Sequence, residues 1–103
     1  MGERRQVRVG QRFFDQLDAQ LGKTRDGAGS PSSTDFLLQD LPFVAEIFAL
    51  RFDDLPEPIP GRPDYRIAIT AGRLVPGLSV TGQLLFDGSI VLLGVKLDLT
   101  GTW

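Results

Sequence analysis

Apolar and polar residues alternate along two segments of the chain. Val7 and Val9 alternate with Gln6 and Arg8, which predicts a short edge strand with inward-facing valines. The same period of two over residues 65–71 predicts a second strand. One face of this second strand would carry Tyr65, Ile67, Ile69 and Ala71, and the other would carry Arg66, Ala68 and Thr70.

The pair Asp87-Gly88 lies between two longer apolar runs and predicts a β-hairpin over residues 77–99. A type I′ turn needs positive φ at both central residues, and Asp-Gly is a favoured pair for it. On the first strand, one face would hold Leu78, Val80, Gly82, Leu84 and Phe86. Gly82 and Gly94, inside the strands, indicate a bend or a close backbone approach.

The second strand of the hairpin is apolar on both faces. Such a strand is typical of a sheet covered on both sides, so we expect something to cover each face. Simple alternation places Val91, Leu93, Val95, Leu97 and Leu99 on one face, and Ile90, Leu92 and Gly94 on the other.

Apolar residues at helical spacing predict an amphipathic helix over residues 11–21. Phe13, Phe14, Leu17 and Leu21 recur at intervals of three and four, and Gly22 is suited to ending the helix.

A short helical turn over 34–40 and a second helix over about 41–54 follow. Pro42 fits the first turn of the second helix, and Asp40 is a candidate N-cap. The second helix is apolar around much of its circumference. It therefore lies either wholly in the core or partly in a groove for a partner.

Two segments are predicted as connections. Residues 23–32 are rich in Gly, Ser and charged residues and predict a flexible loop. Residues 53–64 contain four prolines and predict an extended connector.

The predicted element order indicates an α+β fold. An N-terminal strand and two helices precede a three-stranded antiparallel meander, and the helices pack on one sheet face. At 103 residues, we expect a single compact domain over 1–103.

Composition removes several classes of chemistry. The chain has no cysteine and no histidine, so disulfides, thiolate sites and histidine-based catalysis or metal binding are excluded. The acidic group Asp53, Asp54 and Glu57 lacks the spacing of a calcium loop. We expect no metal, no cofactor and no catalytic constellation, and interpret the protein as a non-enzyme.

Charge and hydropathy constrain partners and location. A formal net charge of −2 makes nucleic acid an unfavourable direct high-affinity ligand, because phosphate contacts usually require a net positive face. The charged N-terminus has no apolar run after it, and no segment approaches the ~20 apolar residues of a membrane span. We expect a cytoplasmic protein.

The order and spacing of these elements resemble the RelE/ParE superfamily of toxins from type II toxin–antitoxin systems. The matching segments are Gln6-Val7-Arg8-Val9 followed by the helix from Arg12, a second helix, and the strand Tyr65-Arg66-Ile67-Ala68-Ile69. The strand Val80 to Phe86, the Asp-Gly turn and the run Ile90 to Val95 complete the match.

The resemblance implies a bacterial toxin neutralised by an antitoxin. Some members cleave ribosome-bound mRNA, and others poison DNA gyrase without nuclease activity. Nuclease members tend to be strongly basic, with a basic and aromatic cluster near the C-terminus, whereas this chain is acidic and ends Leu-Asp-Leu-Thr-Gly-Thr-Trp. The gyrase-type interpretation is therefore favoured. A non-toxic interaction or assembly module and an mRNA endonuclease are the alternatives, and a homodimer stays open.

Two groups of residues are candidate binding sites. A local basic face could bind an acidic partner or nucleic acid, or could simply be solvated; its residues are Arg62, Arg66, Arg73 and Lys96. An apolar partner interface is predicted at Phe43, Ile47, Leu50 and Trp103. A second basic run, which is either a solvated edge or a contact for phosphate or a partner, comprises Arg4, Arg5, Arg8 and Arg12.

Overall fold

The computed structural model describes residues 4–21 and 33–98, which form one sheet with helices against it. The predicted α+β class is confirmed, and the segment after the loop forms a helix of its own, so the described residues contain three α-helices rather than two. The elements are β1 (Val7–Val9), α1 (Gln11–Leu21), α2 (Ser33–Gln39), α3 (Leu41–Arg51), a 3₁₀ turn (Phe52–Asp54), β2 (Tyr65–Thr70), β3 (Gly77–Leu84) and β4 (Ile90–Asp98). The predicted loop at 23–32 and the C-terminal Trp103 lie outside the described residues.

The sheet has the strand order β1-β4-β3-β2. The meander of β2, β3 and β4 is antiparallel, as predicted, while β1 pairs in parallel with the start of β4. The sheet is therefore mixed. The helices between β1 and β2 carry the chain across the sheet before the meander begins, so β1 lies beside β4 and not beside β2.

A β-bulge in β4 changes which of its residues face the core. Thr81 pairs with Gly94, but the next residue, Gly82, pairs with Leu92, so Leu93 is left as the extra residue. The bulge resets the alternation, and the buried side chains before and after it share one face: Ile90, Leu92, Val95 and Leu97. The simple alternation expected from sequence is wrong beyond Leu92. Lys96 is accordingly outside the core.

The hairpin turn is not of type I′. Gly88 has φ of +86°, but no residue other than glycine has positive φ among the described residues, so Asp87 does not. The amide N–H of Gly88 donates to the Leu85 carbonyl, which fits a type I turn followed by a glycine bulge. Phe86 lies in this turn with its side chain exposed, not on the core face predicted for it.

The core lies between the sheet and the three helices. Each helix contributes at least one fully buried side chain, and each of β2, β3 and β4 contributes apolar residues to the same cluster. Gly82 is required at its place in β3, because a Cβ there would lie 2.6 Å from Cε1 of Phe48. The ring of Phe48 thus lies close against the backbone at Gly82.

Helix α1 completes the outer edge of β4 beyond the end of β1. The Gln16 side-chain oxygen accepts the Val95 N–H at 2.9 Å. The Gln20 amide donates to the Val95 carbonyl at 2.8 Å, and its oxygen accepts the Leu97 N–H at 2.7 Å. These side chains take the place of a neighbouring strand, a role that helical periodicity does not reveal.

The proline-rich connector is folded into turns rather than extended. Gly61 has φ of +81°, and the Arg62 N–H donates to the Ile59 carbonyl across Pro60-Gly61. Pro and then a positive-φ Gly at the centre of a turn are typical of type II. The Pro56 carbonyl accepts the Ile67 N–H, so the connector lies against the outer edge of β2.

Candidate functional site

The candidate site is a groove between α3 and the outer edge of β2. Its volume is about 590 Å³. The groove contains three of the four residues predicted as a partner interface: Phe43, Ile47 and Leu50. It adds Ile69 of β2, which is 66% exposed. We name this surface the α3 groove.

The apolar surface of the α3 groove follows from the composition of α3. One side of the helix is buried against the sheet through Val44, Phe48 and Ala49. The opposite side carries Phe43, Ile47 and Leu50 at spacings of four and three residues, which aligns them along one helix face. Both faces are apolar, and the second alternative from sequence, a helix shared between core and groove, agrees with this geometry.

Ile69 lines the groove from β2, the edge strand of the sheet, together with its neighbours Ala68 and Thr70. Ala68 is buried in the core, and Arg66 places its guanidinium 5.4 Å from the ring of buried Phe52. The alternate residues therefore lie on the other face or at the edge. The sequence pattern groups Ile69 with Tyr65 and Ile67 but does not single it out. The feature of the sequence that could have indicated Ile69 is a β-branched residue on a strand face that no predicted element covers.

The edge of β2 is only partly open to another strand. The Ile67 N–H points away from β3 and is bonded to Pro56, so by alternation the Ile69 N–H and carbonyl also point outward. The connector occupies the position beside Ile67, and a strand added there would meet it. A short edge strand that is covered by a proline-containing segment is typical of sheets that resist edge-to-edge pairing.

The rim of the α3 groove carries charges of both signs. Glu46, Arg51 and Asp54 line it. Glu46 pairs with Arg4, and this contact lowers the pKa of the Glu46 carboxyl group. Among the described residues, neither Arg51 nor Asp54 forms an ion pair. These two charges are available to a partner.

The predicted basic face is not assembled as one surface. Arg62 forms a bidentate pair with Asp64, at 3.1 and 3.0 Å, and stacks 4.9 Å from the Tyr65 ring. Asp64 raises the pKa of Arg62, and Arg62 lowers that of Asp64. Arg73 follows β2 whereas Arg62 precedes it, so a six-residue strand, roughly 20 Å long, separates them.

Arg66 is a structural residue rather than part of a binding face. Its side chain is only 13% exposed. The guanidinium donates to three backbone carbonyls of the connector and the 3₁₀ turn, on Asp53, Leu55 and Pro63. It therefore holds the connector against β2.

Lys96 lies on the sheet face opposite the core and lines a different cavity, together with Arg12. The basic residue that accompanies Lys96 thus comes from the second basic run and not from the predicted face.

Within residues 4–21 and 33–98 no group of three or more acidic residues is placed to hold a metal ion. Ser89 bonds to Asp87 at 2.5 Å and to Arg8 at 2.8 Å, which ties the hairpin turn to β1. Ser89 also lowers the pKa of Asp87.

No protein-family model matches this sequence, and comparisons with curated proteins and with solved structures gave no significant match. In the part of the chain that the structure describes, no helix has the length and apolar character needed to cross a membrane.

Proposed function

We propose that this protein is a binding module that takes an amphipathic helix of a partner protein into the α3 groove. The proposal rests on one observation: Phe43, Ile47, Leu50 and Ile69 are wholly or partly exposed and converge on a single groove. Apolar side chains gathered in this way are typical of protein interaction sites, in contrast to singly scattered ones. Partly exposed aromatic and aliphatic residues in a groove are suited to act as anchors.

A helix fits this groove better than a strand does. The connector covers the β2 edge next to Ile67, so a partner strand could pair only with the backbone around Ile69. Phe43, Ile47 and Leu50 instead form a ridge at helical spacing, against which the side chains of a second helix can interdigitate. The occupant would present apolar residues at the same spacing.

The charges on the rim restrict the partner further. Arg51 and Asp54 are free of ion pairs among the described residues, and Asp54 is exposed. A partner helix with a basic residue facing Asp54 and an acidic residue facing Arg51 would complement both. Rim charges of this kind affect specificity and association rate more than affinity.

Site-specific photo-crosslinking tests the proposal. A photoreactive residue replaces Leu50 in the groove and, as a matched control, Phe86, which is exposed but outside the groove. We expect a partner protein to be crosslinked from cells of the host only through position 50. Identical products from both positions, or none through position 50, would contradict the proposal, and a product containing only a second copy would replace the partner by a homodimer.

The crosslinked partner then allows a quantitative test. Leu50→Lys places a charge among the apolar anchors, and we expect its affinity for the purified partner to fall at least ~30-fold, as is usual for a hot-spot residue worth about 2 kcal/mol or more. Phe86→Lys makes the same chemical change outside the groove and should bind normally. Equal affinities for both variants would contradict the groove as the binding site.

A second candidate is a toxin-like component of a type II toxin–antitoxin pair, with the antitoxin as the groove's occupant and DNA gyrase as the protein target. The element order and the α+β fold on which the resemblance to the RelE/ParE superfamily depends support it. Induction without a partner should then arrest bacterial growth and change plasmid supercoiling. Arrest with normal supercoiling and cleaved mRNA would instead favour the endonuclease alternative, and normal growth would contradict a toxin.

A further inference from the structure

The sheet face opposite the core contains a second cavity, of about 430 Å³. On β3, Ser79 and Thr81 line it, since they alternate with the buried residues of that strand. On β4, Lys96 lines it because the bulge at Leu93 places this residue away from the core. Arg12 enters from α1, which lies along the edge of β4.

The lining of this cavity carries a net positive charge in a protein with a net charge of −2. Its lining residues from the described part of the chain include Arg12 and Lys96 and no carboxyl group. By contrast, carboxyl side chains line the α3 groove. The cavity is therefore a local basic site of the kind that the overall charge does not reveal.

The two basic side chains also differ from most arginines of the described chain in their contacts. Five arginines of the described chain form ion pairs: Arg4, Arg5, Arg8, Arg62 and Arg66. Among the described residues, neither Arg12 nor Lys96 does. Two cations brought to one cavity repel each other, and a bound anion would remove that repulsion.

Hydrogen-bond donors accompany the charges. Lys96 and Ser79 are directly opposite each other in the register of β3 and β4, and Thr81 is opposite Gly94. Gln16 packs closely against Gly94 in the cavity lining, since a Cβ on Gly94 would lie 2.9 Å from the Gln16 side-chain oxygen. Hydroxyl groups donate to anions and can rotate to suit them.

We propose that this cavity binds the phosphate group of a small phosphorylated ligand. The Arg12 guanidinium supplies a forked set of donors that matches phosphate oxygens, and Lys96 supplies a compact positive charge. The hydroxyls of Ser79 and Thr81 complete the coordination. Tyr65 and Leu93 line the same cavity and offer apolar contact to the rest of the ligand.

Isothermal titration calorimetry with inorganic phosphate, ribose 5-phosphate and adenosine monophosphate tests this proposal on the full chain. At least one of the three should bind saturably with one site per chain. Tighter binding of the nucleotide would assign the apolar contact to a base, and equal binding of all three would assign recognition to the phosphate alone.

Charge-neutralising variants locate the site. Arg12→Gln and Lys96→Gln should each weaken binding roughly tenfold, as expected when one charge-assisted hydrogen bond is lost. Lys96→Arg keeps the charge and should largely retain affinity. Arg73→Gln makes the same change in net charge at an exposed position outside the cavity and should bind as the unaltered protein does.

Two results would overturn the proposal. One is the lack of saturable binding of all three probes at low ionic strength. The other is an equal loss of affinity in Arg73→Gln and Lys96→Gln, which would show a response to net charge only. Melting curves of each variant verify that the fold is intact, so that lost binding reflects the cavity.

Discussion

At the scale of single residues, Asp40 connects two parts of the fold that are distant in sequence. Its side chain is fully buried at the junction of α2 and α3. It accepts the backbone N–H groups of Arg73 at 2.6 Å and Leu74 at 3.1 Å, and it makes no hydrogen bond to α3. Asp40 thus occupies the predicted N-cap position of α3, but its side chain does not cap the helix, because the loop after β2 supplies the donors instead.

We expect Asp40→Ala to lower the free energy of unfolding by about 3 kcal/mol, since it leaves two partly buried N–H donors without an acceptor. Urea denaturation followed by circular dichroism measures the change. Asp40→Asn keeps one side-chain oxygen and should lose less. Asp54→Ala removes an exposed carboxyl group from the 3₁₀ turn after α3; it is the control and should change stability by less than ~0.5 kcal/mol. Equal effects of Asp40→Ala and Asp54→Ala would contradict this role.

At the scale of secondary structure elements, α1 acts as the neighbour that β4 would otherwise lack. Gln16 and Gln20 are one helical turn apart, roughly 6 Å, and two strand residues span about the same distance. This match lets two side chains on one helix face serve Val95 and Leu97 in turn. The arrangement also covers an open strand edge, which otherwise invites pairing with another chain.

Substitution of either glutamine should expose to solvent the backbone N–H group that donates a hydrogen bond to its side chain. Gln16→Ala should accelerate hydrogen exchange at Val95, and Gln20→Ala should accelerate it at Leu97, with losses of about 1 kcal/mol in stability each. Nuclear magnetic resonance at neutral pH resolves the individual amides. Gln11→Ala on the exposed first turn is the matched control. Unchanged exchange at both amides would show that the edge does not depend on these side chains.

At the scale of the whole molecule, we expect stability to fall at acidic pH, where carboxyl groups become protonated, and to change little around neutral pH. Hydrogen bonds from Arg4, Arg62 and Ser89 lower the pKa values of Glu46, Asp64 and Asp87 respectively. Protonation of these groups therefore favours the unfolded state, in which their pKa values are higher. Their contribution is complete above the unfolded pKa and is lost as the pH falls through the folded pKa.

We expect a melting temperature that is nearly constant between about pH 5 and 8 and falls below about pH 4, because the chain has no histidine to titrate in the neutral range. Asp87→Asn removes one of the three groups and should make the acid fall shallower. Scanning calorimetry across the pH range checks both statements. A transition near pH 6.5, or an acid fall as steep in the variant, would contradict this account.

The periodicity of the sequence predicted the order of the strands and helices and three of the residues in the candidate site. Helix α1 has the predicted bounds, and the α+β class is confirmed. Phe43, Ile47 and Leu50 were predicted because a helix that is apolar around much of its circumference cannot bury all of that surface against one small sheet. Ile69 and the pairing of Arg12 with Lys96 were not predicted, since each depends on elements that are distant in sequence.

The sequence by itself determined the order of strands and helices, the face of α3 left over from the core, and the chemistry that cannot occur without cysteine and histidine. These follow from local periodicity and composition. Only the tertiary structure decided the bulge at Leu93, the edge served by Gln16 and Gln20, and the buried position of Asp40. Each of these depends on where backbone groups from distant segments meet, and a pattern along one chain does not carry that information.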